Sequence, residues 1–136
     1  MDTKKFLIGT LVGGVVNFLL GFVFYVLLFG SYYESQAMAG VMKTDDMNWL
    51  FLGLGNLAIG ALFTYIFTKC AGISTFAGGL KGGAIVGFLM AVSYNLIGAG
   101  TSNAMSTTGY LVDILVYTVM LAITGGIIGL VLGKVK

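Results

Sequence analysis

Four long apolar runs, separated by short polar segments, dominate the chain. A bilayer core about 30 Å thick needs roughly 20 helical residues, so the third run is long enough only if its glycine-rich entry is helical. Runs of this length exclude strands, because the strands of a membrane barrel alternate in segments of about ten residues. The pattern predicts an all-α membrane protein, a four-transmembrane-helix bundle that forms a single domain over residues 1–136. The predicted spans are residues 6–29, 47–68, 77–98 and 110–132.

The composition agrees with this prediction and excludes many classes of enzyme. Of the 136 residues, 58% are hydrophobic and 9% are charged, whereas soluble domains carry roughly 25% charged residues. The chain has no histidine and one cysteine, Cys70. It therefore has no histidine general base, no histidine-ligated zinc and no disulfide within the chain. We expect no enzyme activity, no metal, no cofactor and no nucleic-acid partner.

The distribution of lysines predicts the orientation of the helices. Cytoplasmic loops of membrane proteins carry an excess of lysine and arginine. Lys43 is the one lysine on its side of the predicted spans, where it stands beside Glu34, Asp45 and Asp46. Both termini are therefore predicted to be cytoplasmic, in a multi-pass protein of a bacterial inner membrane. The six lysines on the cytoplasmic side are Lys4, Lys5, Lys69, Lys81, Lys134 and Lys136.

The longest connection, residues 30–46, joins the first two spans. Within it, residues 35–42 are predicted to form a short surface helix, with apolar side chains dipping into the membrane interface. Thr44 followed by Asp45 and Asp46 is typical of a helix N-cap with acids in the first turn. We therefore expect the second span to begin directly after these residues.

Small residues recur every four positions in the predicted spans. Residues four apart lie along one face of a helix, and a row of small residues in a membrane lets two backbones approach closely. The rows predict tight packing of helices, either within one chain or between chains, and a second interpretation is that they line a path for a solute. The packing glycines are Gly9, Gly13, Gly21, Gly60, Gly83, Gly87, Gly125 and Gly129.

Away from the span ends, each of the first three spans contains one asparagine: Asn17, Asn56 and Asn95. They lie 12, 13 and 14 residues from the nearest lysine at the cytoplasmic end, which corresponds to roughly 18–21 Å of helix. We therefore predict one polar layer near the middle of the membrane. Its amides either cross-link the helices or bind a solute. The tyrosines expected beside this layer are Tyr25, Tyr94 and Tyr117.

Asp113 is the one acid inside an apolar run. It lies 21 residues before Lys134, a distance of roughly 31 Å along a helix, which places it near the outer interface. There it would occupy the first turn of the fourth span, where the helix dipole favours an acid. Ordinary helix capping is one interpretation, and a site for a cation or a proton is the other.

Three short segments carry a resemblance to a known family. They are YVLLFG at residues 25–30, GYLV at residues 109–112 and GGIIG at residues 125–129. Together with the long first outer connection, they resemble an uncharacterised bacterial family of four-helix membrane proteins, domain of unknown function 1761. Phe24 and Tyr25 stand where that family tends to have a Trp-Tyr pair, and the family's nearby proline has no counterpart. The resemblance implies an integral membrane protein with no assigned activity, and it transfers no catalytic residue.

Two functions fit these observations. The first is a small bundle that acts through helix–helix contacts, either self-associated or as an accessory subunit of a larger membrane complex. The second is a channel or carrier for a small solute or ion through the asparagine layer. The expected partners are the lipid bilayer and either further copies of the chain or other membrane subunits.

Overall fold

Four long helices, with one short helix between the first two, make up the described chain. A computed structural model describes residues 2–39 and 47–135. Two of the long helices end in a π-helical segment, Val23–Leu28 after the first and Ile66–Ala71 after the third helix of the chain. The helices are α1 (Thr3–Phe22), α2 (Gly30–Gln36), α3 (Trp49–Tyr65), α4 (Phe76–Thr101) and α5 (Thr107–Lys134).

The prediction of four long apolar helices is confirmed. Each long helix, with its π segment where it has one, is long and apolar enough to cross a membrane, which is what a multi-pass membrane protein requires. The glycine-rich entry of the third span is helical, as that span needs for its length. The four stretches are Thr3–Leu28, Trp49–Ala71, Phe76–Thr101 and Thr107–Lys134.

Side-chain caps set the point at which each long helix begins. Asp2, Asn48, Thr75 and Ser106 each accept a hydrogen bond from a backbone N–H in the first turn of the helix that follows. Such caps satisfy donors that have no partner within the helix. At the other end of the second span, Gly72 takes the left-handed conformation that commonly closes a helix.

The connection between α1 and α3 differs from the prediction. The predicted helix over residues 35–42 is wrong for its described part, because α2 begins earlier and ends at Gln36. There the backbone turns to pair with the connection before α5: Met38 N–H donates to Ala104 O (2.7 Å) and Ser106 N–H donates to Gln36 O (2.9 Å). The cap predicted at residues 44–46 lies outside the described residues.

The four long helices form two antiparallel pairs. α1 packs on α3, α4 packs on α5, and the pairs meet chiefly where α1 contacts α5. In the most apolar 18-residue stretch of α5, half of the residues are buried, whereas 17–22% are buried in the corresponding stretches of the other three long helices. α5 is therefore the central helix, and much of the surface of the others faces outward.

The two ends of the bundle differ in charge. Lys5, Thr68 and Ser74 line one small cavity, so the start of α1, the end of the second span and the start of the third lie at the same end. We call it the lysine end, and the opposite end, which carries α2, the α2 end. The described lysines of the lysine end are Lys4, Lys5, Lys69, Lys81 and Lys134.

Glycines lie where α4 and α5 approach most closely. A methyl carbon added at Gly125 would lie 2.5 Å from the carbonyl oxygen of Gly79 and 2.8 Å from the Cα of Gly83. Additions at Gly87 and Gly129 would also meet atoms of the facing helix. At Gly125 and Gly129 the atoms met belong to the backbone, which cannot move aside as a flexible side chain can, so these two positions exclude larger residues unless the helices separate.

Glycines also lie at close contacts between α1 and α3, near the middle of these two helices. A methyl carbon at Gly13 would lie 3.0 Å from the Cα of Gly60, and one at Gly9 would lie 2.5 Å from the hydroxyl oxygen of Thr64. Gly21 differs from the other glycines of its row. The nearest atom to an added methyl there is Cε of Met120 at 3.8 Å, an ordinary van der Waals distance.

A cluster of apolar side chains closes the half of the bundle at the lysine end. Phe63 and Phe67, on one face of the second span, pack against Leu121, Ile128 and Leu132 of α5. The two phenylalanine rings lie 5.8 Å apart between centroids. All five side chains are buried, so this cluster fills the core between the second span and α5 toward the lysine end.

Candidate functional site

Asn17 lies where α1, α3 and α5 meet, and it joins all three. Its Nδ2 donates to Oδ1 of Asn56 over 2.7 Å, and its Oδ1 accepts from the hydroxyl of Thr124 over 3.1 Å. Asn56 in turn donates to the carbonyl of Leu52 over 2.7 Å. Asn17 is only 2% exposed, so these bonds offset the cost of removing its amide from water. The structure thus brings two of the three predicted asparagines together.

Asp113 holds a second polar cluster, nearer the α2 end. Its Oδ1 accepts from the hydroxyls of Tyr25 and Tyr33, over 2.6 and 2.8 Å. Its Oδ2 accepts from Nδ2 of Asn95 over 2.9 Å, and the same nitrogen donates to the carbonyl of Ala91. Three donors from three elements therefore converge on one carboxylate of α5.

The predicted polar layer is divided between these two clusters. Asn95 binds Asp113 and not the other two asparagines, because α4 packs chiefly on α5 whereas Asn17 and Asn56 lie on the α1–α3 pair. Tyr94 joins neither cluster, since its side chain is 77% exposed.

The interpretation of Asp113 as a first-turn cap is wrong. α5 begins at Thr107, three residues before the predicted start, and Asp113 lies in its second turn. The cap is Ser106, whose hydroxyl accepts from the N–H of Gly109 over 3.1 Å. Hydropathy placed the start of the span too late, because the polar residues 107 and 108 belong to the helix once Ser106 has capped it.

Tyr33 anchors α2 to the end of the bundle. It is 4% exposed, and its ring lies 5.0 Å from that of Tyr25. Burial, together with the hydrogen bond to Asp113, raises the pKa of the Tyr33 hydroxyl, which therefore keeps its proton and remains a donor. A second connection is the hydrogen bond from the Ser106 hydroxyl to Oε1 of Gln36.

A cleft of about 960 Å³ opens between α1, α3 and α5 in the α2 half of the bundle. We call Asn17 and Asn56, which lie toward the middle of α1 and α3, its floor, and Glu34, which belongs to α2 at the end of the bundle, its rim. Tyr25 and Tyr117 also line the cleft. Its walls are largely apolar, and ligand sites in proteins commonly combine such walls and such a volume with a few polar groups. The aromatic wall residues are Phe18, Phe22, Trp49 and Phe51.

Polar side chains continue along the α1–α3 contact below the floor. The hydroxyls of Thr10 and Thr64 are buried there without a hydrogen-bond partner. Beyond them, Thr68 lines the cavity of about 350 Å³ at the lysine end, together with Asp2 and Lys5. The helices themselves are in contact at Gly13 and Gly60. The cleft and the cavity are thus separated by a closed segment that carries unpaired hydroxyls.

Sequence reasoning missed several residues of these sites. Thr124 lies 10 residues before Lys134. Counting residues from the cytoplasmic lysines would have placed it close to the asparagines, but the counting considered asparagines and not residues with a hydroxyl group. Tyr33 and Glu34 follow a break in the helix at Phe29, and no periodicity in the sequence relates them to the spans. Their position depends on where α2 packs.

Comparison with family models, with curated proteins and with solved structures finds no match for this chain. The resemblance to domain of unknown function 1761 stays a prediction.

Proposed function

We propose that this is a small, non-enzymatic, multi-pass membrane protein that binds a small molecule in the cleft and carries it across the membrane. The observation that carries the proposal is the cleft itself, with its polar floor at the junction of α1, α3 and α5. Carriers commonly bind their substrates near the middle of the membrane and open to one side at a time.

The closed segment below the floor supports a carrier more than an open channel. In this conformation the way from the cleft to the lysine-end cavity is blocked by the approach of Gly13 to Gly60. The unpaired hydroxyls of Thr10 and Thr64 lie in that segment. A buried hydroxyl without a partner costs free energy, and separation of α1 from α3 would expose both hydroxyls to a passing solute or to water.

We infer that both termini face the cytoplasm and that the cleft opens outward, in the inner membrane of a bacterium. The five described lysines cluster at the end opposite the cleft, and the positive-inside rule assigns such an end to the cytoplasm.

We infer that the glycine rows serve packing within the chain. The close approaches at Gly13, Gly83 and Gly125 support this role, since each of these glycines already faces another helix of the same chain. A row that is occupied in this way has no free surface for a second chain, so the glycines add little support for self-association.

A cleft-filling substitution with a matched control tests the binding function. Gly55 lines the cleft, Gly53 does not, and an added methyl at either meets no atom within 4 Å. The first side-chain carbon of a leucine therefore meets no described atom at either position, and leucine favours the helix more than glycine does. We would extract wild type, Gly55→Leu and Gly53→Leu gently from their membrane and examine each by native mass spectrometry.

The proposal predicts a small molecule retained by wild type and by Gly53→Leu, and lost from Gly55→Leu. Retention that does not depend on Gly55, or no retained molecule in any variant, would contradict binding in the cleft.

Action through helix–helix contacts is the second candidate function. It is favoured by large apolar side chains that project from the second span, among them Leu50 and Phe51, which are 68% and 70% exposed. The same mass spectra test it. Stoichiometric complexes with other polypeptides, or a homo-oligomer without a small molecule, would favour an accessory or self-associating role over a carrier.

A further inference from the structure

We propose that the cleft takes a lipophilic organic cation, that is, a molecule in which a quaternary or delocalised positive charge is surrounded by aromatic or alkyl groups. This inference rests on the proposed binding function and names the class of ligand for the same site.

The walls of the cleft suit such a molecule. Trp49 lies beside Phe18, with their ring centroids 6.1 Å apart, and Phe22, Tyr25 and Phe51 line the same space. The electron-rich faces of aromatic rings attract cations within about 6 Å of the ring centre, and tryptophan does so most strongly. Trp49 is 60% exposed, so part of its ring is available to a ligand.

Glu34 carries the one charge among the described residues that line the cleft. Glu34 lies at the rim, and no lysine is found among the described residues that line the cleft. Tyr25, which lines the cleft, donates its hydroxyl hydrogen to Asp113 over 2.6 Å, so the Asp113 side chain lies directly behind this wall residue.

An anion entering the cleft would meet the carboxylate of Glu34 and no lysine among the described residues that line it. An anionic ligand is therefore disfavoured.

The floor argues against a small inorganic cation. The Asn17 and Asn56 oxygens each already accept a hydrogen bond. Calcium needs six to eight oxygen ligands and magnesium a near-octahedral set, which a wide aromatic cleft with two amides does not supply. A cation that carries its own apolar groups needs no such ligands, and its hydrophobic parts gain from contact with the walls.

Tryptophan fluorescence gives a direct assay, because Trp49 is the one tryptophan of the chain and lines the cleft. The full-length protein in dodecyl maltoside would be titrated with tetraphenylphosphonium and, separately, with tetraphenylborate. The two ions have nearly the same size and shape and carry opposite charges. We expect a saturable change of fluorescence with the cation and at least about tenfold weaker binding of the anion.

Two variants that each remove one carboxylate separate a local effect from an effect of net charge. Glu34→Gln alters the rim of the cleft, whereas Asp2→Asn alters the lysine end and keeps a residue that can cap α1. We expect Glu34→Gln to weaken cation binding about two- to fivefold, as for an exposed ion pair. We expect Asp2→Asn to leave it unchanged.

The outcomes distinguish this inference from the function on which it rests. Equal affinity for the two probes, or equal effects of Glu34→Gln and Asp2→Asn, would overturn the preference for a cation. If a native molecule is retained in a manner that depends on Gly55, but the cation leaves Trp49 unchanged, the ligand class is wrong and the binding function stands. A phospholipid as the retained molecule would also overturn the inference. If no probe binds and nothing depends on Gly55, both proposals fail.

Discussion

Replacing Gly125 by alanine tests how closely α4 and α5 pack. The new methyl carbon would lie 2.5 Å from the carbonyl oxygen of Gly79 and 2.8 Å from the Cα of Gly83, whereas ordinary contacts begin at 3.4 Å. The two backbones would have to separate by about 1 Å, and overpacking of this kind costs about 1–3 kcal/mol. Alanine also gains about 1 kcal/mol over glycine in helix propensity, so a control with the same gain is needed.

Gly53→Ala is that control, because its added methyl meets nothing within 4 Å. Both variants would be unfolded from dodecyl maltoside with sodium dodecyl sulfate, with Trp49 fluorescence as the signal. We expect the free energy of unfolding of Gly125→Ala to lie about 1–3 kcal/mol below that of Gly53→Ala. Gly21→Ala, with its nearest contact at 3.8 Å, should behave like the control. Equal stability of Gly125→Ala and Gly53→Ala would refute the close approach of α4 to α5.

Three further predictions concern the polar clusters and the orientation. A double-mutant cycle of Asn17→Leu and Asn56→Leu, measured by the same unfolding titration, should give a coupling free energy of about 0.6 kcal/mol, which is typical of a hydrogen bond between membrane helices. A coupling free energy of zero would mean that the hydrogen bond does not form. Asp113→Asn replaces the side chain that accepts the hydrogen bond of the Tyr33 hydroxyl. Hydrogen exchange of the α2 amides, followed by mass spectrometry, should then accelerate about tenfold or more. Unchanged exchange would show that Asp113 does not anchor α2. Cys70 is exposed at the lysine end. A membrane-impermeant maleimide should therefore label it in inverted vesicles but not in intact cells. Labelling in intact cells but not in inverted vesicles would contradict cytoplasmic termini.

The fold was largely predictable because its elements depend on local chemistry. The length and apolar character of each run require a helix in a membrane, where backbone groups must be satisfied within the segment. Errors were confined to the ends. Hydropathy missed the first residues of α5 because the hydroxyl of Ser106, and not an apolar residue, starts that helix. It also misplaced α2, whose position depends on contacts with the connection before α5.

The candidate site was predictable only in part. Asn17 and Asn56 lie at matching depths on consecutive antiparallel spans, so counting along the helices was enough to suggest the pair that forms. Counting placed Asn95 at the same depth, but depth does not say which neighbour a side chain faces. α4 packs on α5, and the amide of Asn95 therefore meets Asp113.

The sequence by itself determined that the chain forms four long apolar helices, because span length and hydropathy act within each segment. It also determined the unequal placement of the lysines. Only the tertiary structure decided that Asp113 collects donors from three elements, that α5 is the central helix, and that a cleft with a rim at Glu34 opens beside Asn17. These features depend on which face of each helix meets which neighbour. That choice is made by close packing among all the helices together, and no single span contains it.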